Sequence, residues 1–204
     1  MADRLSRTKL ARAAAALNAR AGLSGLLPPL ALMTDDERLA DPVAAARALP
    51  KRSLVILRAR DGAKRAALAL NMLRAAHARD LILLIADDPA LAHRIGAHGL
   101  HLPEARAHEA SHWRASHPNW LITAAAHSLA ALRRANHADA ILLSPVFATK
   151  SHEGAPALGA LRLRILARQS RKPIYALGGI DVQSVLRLKD SPAAGIAAIG
   201  ALLA

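Results

Sequence analysis

Residues 138–159 read ADAILLSPVFATKSHEGAPALG. Ala140 to Leu143 form a short apolar run with the length and composition of a buried strand. The run stops at Ser144-Pro145, and no regular element is expected again until about Leu161. Between them Thr149, Lys150, Ser151 and His152 place two hydroxyls, an ammonium and an imidazole in four consecutive positions. Gly154, Pro156 and Gly159 punctuate the remainder. Loops of this length in a compact domain are functional or disordered. These side chains suit an anion with ester or phosphate oxygens; a solvated surface loop is the other reading.

The same alternation continues on both sides. Apolar runs at Leu30–Thr34, Ser53–Leu57, Leu81–Ala86, Gly99–Leu102, Trp120–Ala124, Pro173–Ala176 and Gly195–Ile199 read as seven further strands. Helical segments lie between them. Asp41-Pro42 and Asp88-Pro89 are helix starts with Pro at the first helical position. A helix follows from about Ala63 to Arg79, another runs to about Ser116, and Ser128 caps one reaching Asn136. Leu161–Gln169 is helical, and Gly178-Gly179-Ile180-Asp181 is expected to open a helix to Lys189.

Strands alternating with helices mean βαβ units and a parallel sheet. Eight strand ends between positions 35 and 198 give about one unit every 23 residues, compact but sufficient for a (β/α)8 TIM barrel. The apolar runs are continuous rather than alternating, as in strands covered on both faces. A doubly wound open sheet would want a Gly-rich turn after the first strand, and MTDDERL has none. Residues 7–20 form an extra N-terminal helix that either plugs the barrel, replaces a final helix or makes a dimer contact. Little chain follows the eighth strand.

Composition narrows the function classes. The chain has 204 residues and no linker-like run, so one domain spanning 1–204 is expected. With no cysteine, disulfides and thiolate chemistry are excluded, which fits a reducing cytoplasm. Neither a signal peptide nor a membrane span is legible. The formal charge of +13 is mostly arginine scattered over helical segments rather than gathered into a stripe. Trp113, Trp120, Phe147 and Tyr175 are the only aromatic residues, too few for a stacking platform on nucleic acid. A basic solvated surface that attracts anionic substrates remains.

In such a barrel, chemistry gathers where the strands end. Those ends carry Asp35, Arg58, Arg60, Asp87, Asp88, His101, Glu104, His127, Thr149, Ser151, His152 and Gly178-Gly179. Bare backbone N–H groups at the two glycines, with a helix starting behind them, suit a phosphate. His101 reads as a structural histidine satisfied by a neighbour. Asp35 either caps the next element, the preferred reading, or orients a substrate. Glu104 is either a second acid/base or an exposed side chain. His77, His93, His98, His108, His112, His117 and His137 show no metal-ligand spacing and read as surface residues.

The chain resembles the thiamin-phosphate synthase/TenI family over nearly its whole length. VILRARD (55–61) is similar to the family's VQLR-x-K-D, LLIADD to LLIND, and HGLHLPEAR to DGVHLGQ-x-D. AAAHS is similar to G-x-S-x-H-S, and ADAILLSPVFATKSH to ADY-(apolar)2-GPVFxTxTK. PIYALGGI and AGIAAIGAL match the last two strands. Synthases of this family join a pyrimidine diphosphate to a thiazole phosphate, with Mg2+ held by carboxylates after strands three and four.

Measured against that pattern, Asp87 falls on the first metal carboxylate, but Arg106 occupies the second. The Asn before Asp87 is Ala86, the strand-two Gln is Ile56, and the strand-two Lys is Arg60. His152 stands for the Lys of TxTK and Ala125 for the Ser of the strand-five turn. The phosphate-monoester end is retained in Thr149, Ser151, Gly178, Gly179, Ala198 and Ile199.

His127 is also retained. The resemblance implies for it, in the TenI branch, the acid/base of a thiazole-phosphate tautomerase, a proton transfer that needs no metal. Capping or packing is its alternative role. The expectation is therefore a TenI-like tautomerase. A synthase with a rearranged diphosphate site is the alternative: the family's synthase reaction implies Mg2+, while Arg58, Arg60 and Arg106 could instead neutralise the diphosphate without metal. A phosphate-ligand binder without turnover is the third reading.

Overall fold

A computed structural model of the chain describes residues 4–59, 62–149 and 156–202. Eight parallel strands close into a barrel in sequence order. They are β1 (Leu30–Met33), β2 (Leu54–Leu57), β3 (Ile82–Ala86), β4 (Gly99–Leu102), β5 (Leu121–Ala126), β6 (Ala140–Leu143), β7 (Ile174–Leu177) and β8 (Gly195–Ala198). The ring closes where Leu30, Ala31 and Leu32 pair with Ile196, Ala197 and Ala198. The expected TIM barrel is the fold observed.

Each strand is apolar on both faces because the faces meet different partners. Successive residues point alternately inward and outward. Leu32, Val55, Leu83, Ile141 and Ile196 join the layer between barrel and helices. Ala31, Ile56, Leu84, Ala140, Leu142 and Tyr175 fill the interior. Alanines alternate there with Leu, Ile and Met, and Tyr175 is the largest side chain. The Tyr175 hydroxyl donates to the carbonyl of Pro28, so the phenol is satisfied where water is excluded. Burial raises its pKa.

The wall is built from α1 (Arg4–Arg20), α2 (Pro42–Arg47), α3 (Gly62–Arg79), α4 (Pro89–Ile95), α5 (Ala110–Ser116), α6 (Leu129–Arg134) and α7 (Gly159–Gln169). The helix starts seen in sequence are physical caps. Asp41, Asp88 and Ser128 accept the amides of Ala44, Leu91 and Ala131 at 2.8, 2.9 and 3.1 Å. α1 neither plugs nor enters the barrel. Its Leu10, Ala14 and Leu17 are buried in the outer layer, with α1 against β8 and β1. Asn18 pins it, donating from Nδ2 to the carbonyls of Ala194 (2.7 Å) and Leu27 (3.2 Å). No helix among the described residues is long and apolar enough to cross a membrane.

Two elements differ from expectation. The segment after β4 begins as a 3-10 helix (Glu104–Glu109) before α5. After β7 no α-helix forms from Asp181: there is only a 3-10 turn, Ser184–Leu188. Asp181 instead turns the chain locally, accepting the amides of Gln183 (2.9 Å) and Ser184 (2.7 Å) on one oxygen. His98 also departs from the surface reading: its Nδ1 accepts the amide of Leu83 at 3.1 Å and burial, then His77, lowers its pKa.

Candidate functional site

The carboxyl ends of the strands open on a cavity of about 1090 Å³. Arg58, Asp87, His127, Thr149, Gly178, Gly179, Ala198 and Ile199 all line it. Arg60, Ser151 and His152 lie outside the described residues. The cavity also takes in Arg38, Arg65, His101, Glu104 and Ser144, so the strand ends do converge.

At the β6–β8 side the cavity wall is backbone. The loop after β6 is zipped to the end of β7, where Val146 and Phe147 donate to the carbonyls of Leu177 and Gly178 at 2.9 and 3.0 Å. Its far end returns: Leu158 and Gly159 donate to Pro145 and Val146 at 3.0 and 2.8 Å. The loop that begins at Ser144 is therefore closed at its base. Gly178 and Gly179 have φ of 97° and 63°, conformations that favour glycine. A Cβ on Gly179 would lie 2.5 Å from the Ala148 carbonyl oxygen. The amides of Gly179 and Ile180 donate to no acceptor among the described residues. The expected helix N-terminus behind them is missing, so these are loop amides with no α-helix dipole behind them.

At the opposite wall, after β2, Thr34 accepts the amide of Arg58 at 2.8 Å and donates to its carbonyl at 3.2 Å. This fixes the backbone from which the Arg58 guanidinium reaches Asp35. Burial would raise the Asp35 pKa, but Arg58, the Glu37 amide and Arg38 together hold the carboxyl below the usual range. Asp35 thus does more than cap. Arg65 reaches across from α3 to donate to the Ala86 carbonyl, and its buried Nε has no partner.

Asp87 sits in a left-handed conformation, φ 55°, held by its amide on the His101 carbonyl at 2.9 Å. Its carboxylate is already engaged. Arg106 Nη1 meets Asp87 Oδ1 at 2.5 Å, while Nε and Nη2 form a fork on Glu109 at 2.7 Å each. Hydrogen bonds from Arg106 hold Glu109 down at about 2. No group of three or more His, Cys, Asp or Glu side chains suited to a metal occurs among the described residues. A Mg2+ site needs several oxygen ligands in near-octahedral array. One carboxylate already paired with a guanidinium does not fit that ion.

His127 is differently placed. Glu104 Oε2 accepts its Nδ1–H at 2.7 Å and its backbone amide at 2.8 Å. The other oxygen of Glu104 receives Arg134 at 2.8 Å. With Nδ1 donating, the neutral ring carries its lone pair on Nε2, which has no partner among the described residues. An oriented base on the cavity wall is what proton transfer requires. Glu104 is 23 positions away in sequence, so nothing local marked the pair.

His101 is buried, and its Nδ1 lies 2.9 Å from Thr123 Oγ1. Burial, then Arg58, pushes its pKa down to about 4. The imidazole is therefore neutral, and the Thr123 hydroxyl decides the tautomer. That hydroxyl is fully buried with no other partner among the described residues. If Nδ1–H donated, the threonine O–H would be orphaned at about 1–3 kcal/mol. Thr123 therefore donates to Nδ1, and Nε2 carries the hydrogen.

Comparison with known proteins now decides the family. Residues 30–202 match the family described as thiamine monophosphate synthase. The chain belongs to this family. It is 36% identical to a putative thiamine-phosphate synthase 2 of Aquifex aeolicus over 60% of this chain and 66% of that one. It is 32% identical to thiamine-phosphate synthase of Thermus thermophilus over 74% of each. Among solved structures, thiamine phosphate pyrophosphorylase from Pyrococcus furiosus superposes with a TM-score of 0.66 at 22% identity, covering 83% of this chain and 84% of that one. That likeness speaks for the barrel alone. Membership in the thiamine monophosphate synthase family makes the chain an enzyme of thiamine biosynthesis.

Proposed function

We propose that this family member is a TenI-like tautomerase of a thiazole phosphate. The supporting observation is the Glu104–His127 pair on the cavity wall, with Nδ1 engaged and Nε2 available. The phosphate monoester would rest on Thr149, Gly179 and the Ala198–Ile199 backbone, together with Ser151 and His152. That end anchors the heterocycle and directs it toward β5. His127 then takes a proton from one carbon and returns it to the exocyclic carbon, leaving an aromatic thiazole. The reaction is an isomerisation and consumes nothing.

The synthase reading draws on the names of the relatives, and Arg58 with Arg60 would face the diphosphate. It meets the obstacle that Asp87 is paired with Arg106. A binder without turnover leaves the oriented imidazole without a task.

One assay separates the three. The protein is incubated with the carboxylated thiazole phosphate tautomer, with and without pyrimidine diphosphate and Mg2+, and both products are followed. Aromatisation without added metal, lost in His127→Ala, is the expected result. Formation of the joined product alone would establish the synthase, and binding without either product the binder.

A further inference from the structure

The tautomerase mechanism uses one imidazole, yet among the described residues two line the cavity. His101 is the second. It stands on β4, where its backbone pairs with Thr123 of β5, the strand that leads to His127. Its Nδ1 is taken by Thr123. Among the described residues its Nε2 has no partner, yet it is not sealed away as the unpartnered Arg65 Nε is. Nε2 is therefore reached from the cavity.

We propose that His101 is a neutral hydrogen-bond donor to the substrate heterocycle, with Thr123 as the positioning residue that fixes its Nε2–H tautomer. Its acceptor is a ring nitrogen or carboxylate oxygen on which negative charge collects while His127 holds the abstracted proton. The inference rests on the proton-transfer reading of the site.

The chemistry follows from what the pair can and cannot do. When the C–H bond breaks, its electron pair moves into the conjugated ring and the proton resides on His127. A donor facing the atom that gains charge is worth more at that moment than in the ground state. A charged imidazolium at His101 would be a buried cation beside Arg58, and the site's pKa shift opposes it. A neutral N–H supplies the hydrogen bond without surrendering the proton. The division of labour is one exposed, carboxylate-held imidazole that exchanges a proton and one buried, hydroxyl-held imidazole that does not.

The test has a spectroscopic and a kinetic arm, both on the full-length chain. With 15N-labelled histidine, the long-range imidazole spectrum is followed from about pH 8 to pH 5, within the range set by a pKa well below the ordinary value. One ring, assigned by its loss in His101→Gln, should keep the Nε2–H pattern throughout. Its Nε2 resonance should shift on adding hydroxyethylthiazole phosphate. Thr123→Val should abolish the fixed pattern and Thr123→Ser keep it. In turnover, Thr123→Val should lower kcat by about 10–10²-fold with KM little changed, as for loss of a transition-state donor. Thr123→Ser should restore most of it.

An Nδ1–H tautomer, titration near the ordinary histidine value, or a His101 ring unmoved by saturating thiazole phosphate would overturn the proposal. So would full kcat in a folded Thr123→Val protein. Absence of turnover in the wild type would remove the tautomerase reading, and the spectra would still decide whether His101 donates to the ligand.

Discussion

Glu104 Oε2 receives two hydrogen bonds from one residue, the Nδ1–H and the backbone N–H of His127, at 2.7 and 2.8 Å. A carboxylate that clamps both ring and backbone restricts the imidazole more than a side-chain contact alone would. Glu104 enters the 3-10 helix after β4, and His127 follows β5, so adjacent strands place the two ends together. In the proposed mechanism Glu104 is a positioning residue that fixes which nitrogen of His127 faces the substrate. Glu104→Ala should therefore reduce kcat by about 10²-fold with KM for the thiazole phosphate nearly unchanged. Glu104→Gln keeps an acceptor oxygen and should fall between. Equal loss of stability in the two variants with unchanged kcat would assign Glu104 a purely structural role.

The Asp87–Arg106–Glu109 chain predicts metal independence. Arg106 is held at three nitrogens, and its own pKa is raised, chiefly by Glu109 and also by Asp87. Recruiting Asp87 to Mg2+ would break a charge-assisted bond and leave the guanidinium facing a divalent cation. Tautomerase turnover should thus be unchanged by a chelator, and Mg2+ should give no calorimetric binding signal. Activity abolished by chelation and restored by Mg2+ would favour the synthase.

Backbone conformation predicts a sharp contrast between two glycines of the cavity. Gly179 has φ 63°, and a Cβ there would meet Ala148 O at 2.5 Å and Phe147 Cβ at 2.7 Å. Gly200 has open space around its would-be Cβ and no positive φ. Gly179→Ala should cost about 1–3 kcal/mol of stability and weaken phosphate binding, since the β6 loop must shift. Gly200→Ala should do neither. Thermal unfolding with a phosphate titration on each variant reads both effects, and a Gly179→Ala protein that binds phosphate normally would show that this backbone is not the cradle.

The barrel was legible because its signals are local: apolar runs of strand length, Asp-Pro helix starts and turn glycines at fixed offsets. The positions of Thr149, Gly179 and His127 at strand ends followed from that register. What escaped was pairing across strands. Arg106 was visible as a departure from a metal-ligand position, but its grip on Asp87 and Glu109 depends on a 3-10 segment the periodicity did not distinguish from helix. His101 was correctly taken to have a neighbour, yet Thr123, 22 positions on, could be found only once β4 and β5 were in register. Asp181 does cap a turn as an Asp at a helix start would, but the turn runs as a short 3-10 segment, Ser184–Leu188, and not as the expected helix to Lys189.

The last prediction concerns acid stability and follows from the two histidines that burial disfavours as cations. In the folded protein the His101 pKa is about 4 and that of His98 is lowered, the first by burial and Arg58, the second by burial and His77. In the unfolded chain both would titrate near 6.5. Above that value both states hold the same protons, and these groups make stability independent of pH. As pH falls through about 6.5 the unfolded chain takes up protons that the folded chain refuses, so stability drops, and the His101 contribution levels off below about 4. A displacement of this size is roughly 3 kcal/mol for His101, an order-of-magnitude figure. Glu109, held down at about 2, and Asp35 and Asp181, below the usual carboxylate range, add their losses from about pH 4.5 downward. The window between about pH 6.5 and 4.5 therefore belongs mainly to the histidines. Urea unfolding at several pH values should show the decline in wild type and a shallower one in a folded His101→Gln protein. An equal slope in both would mean that His101 is not kept neutral by its surroundings.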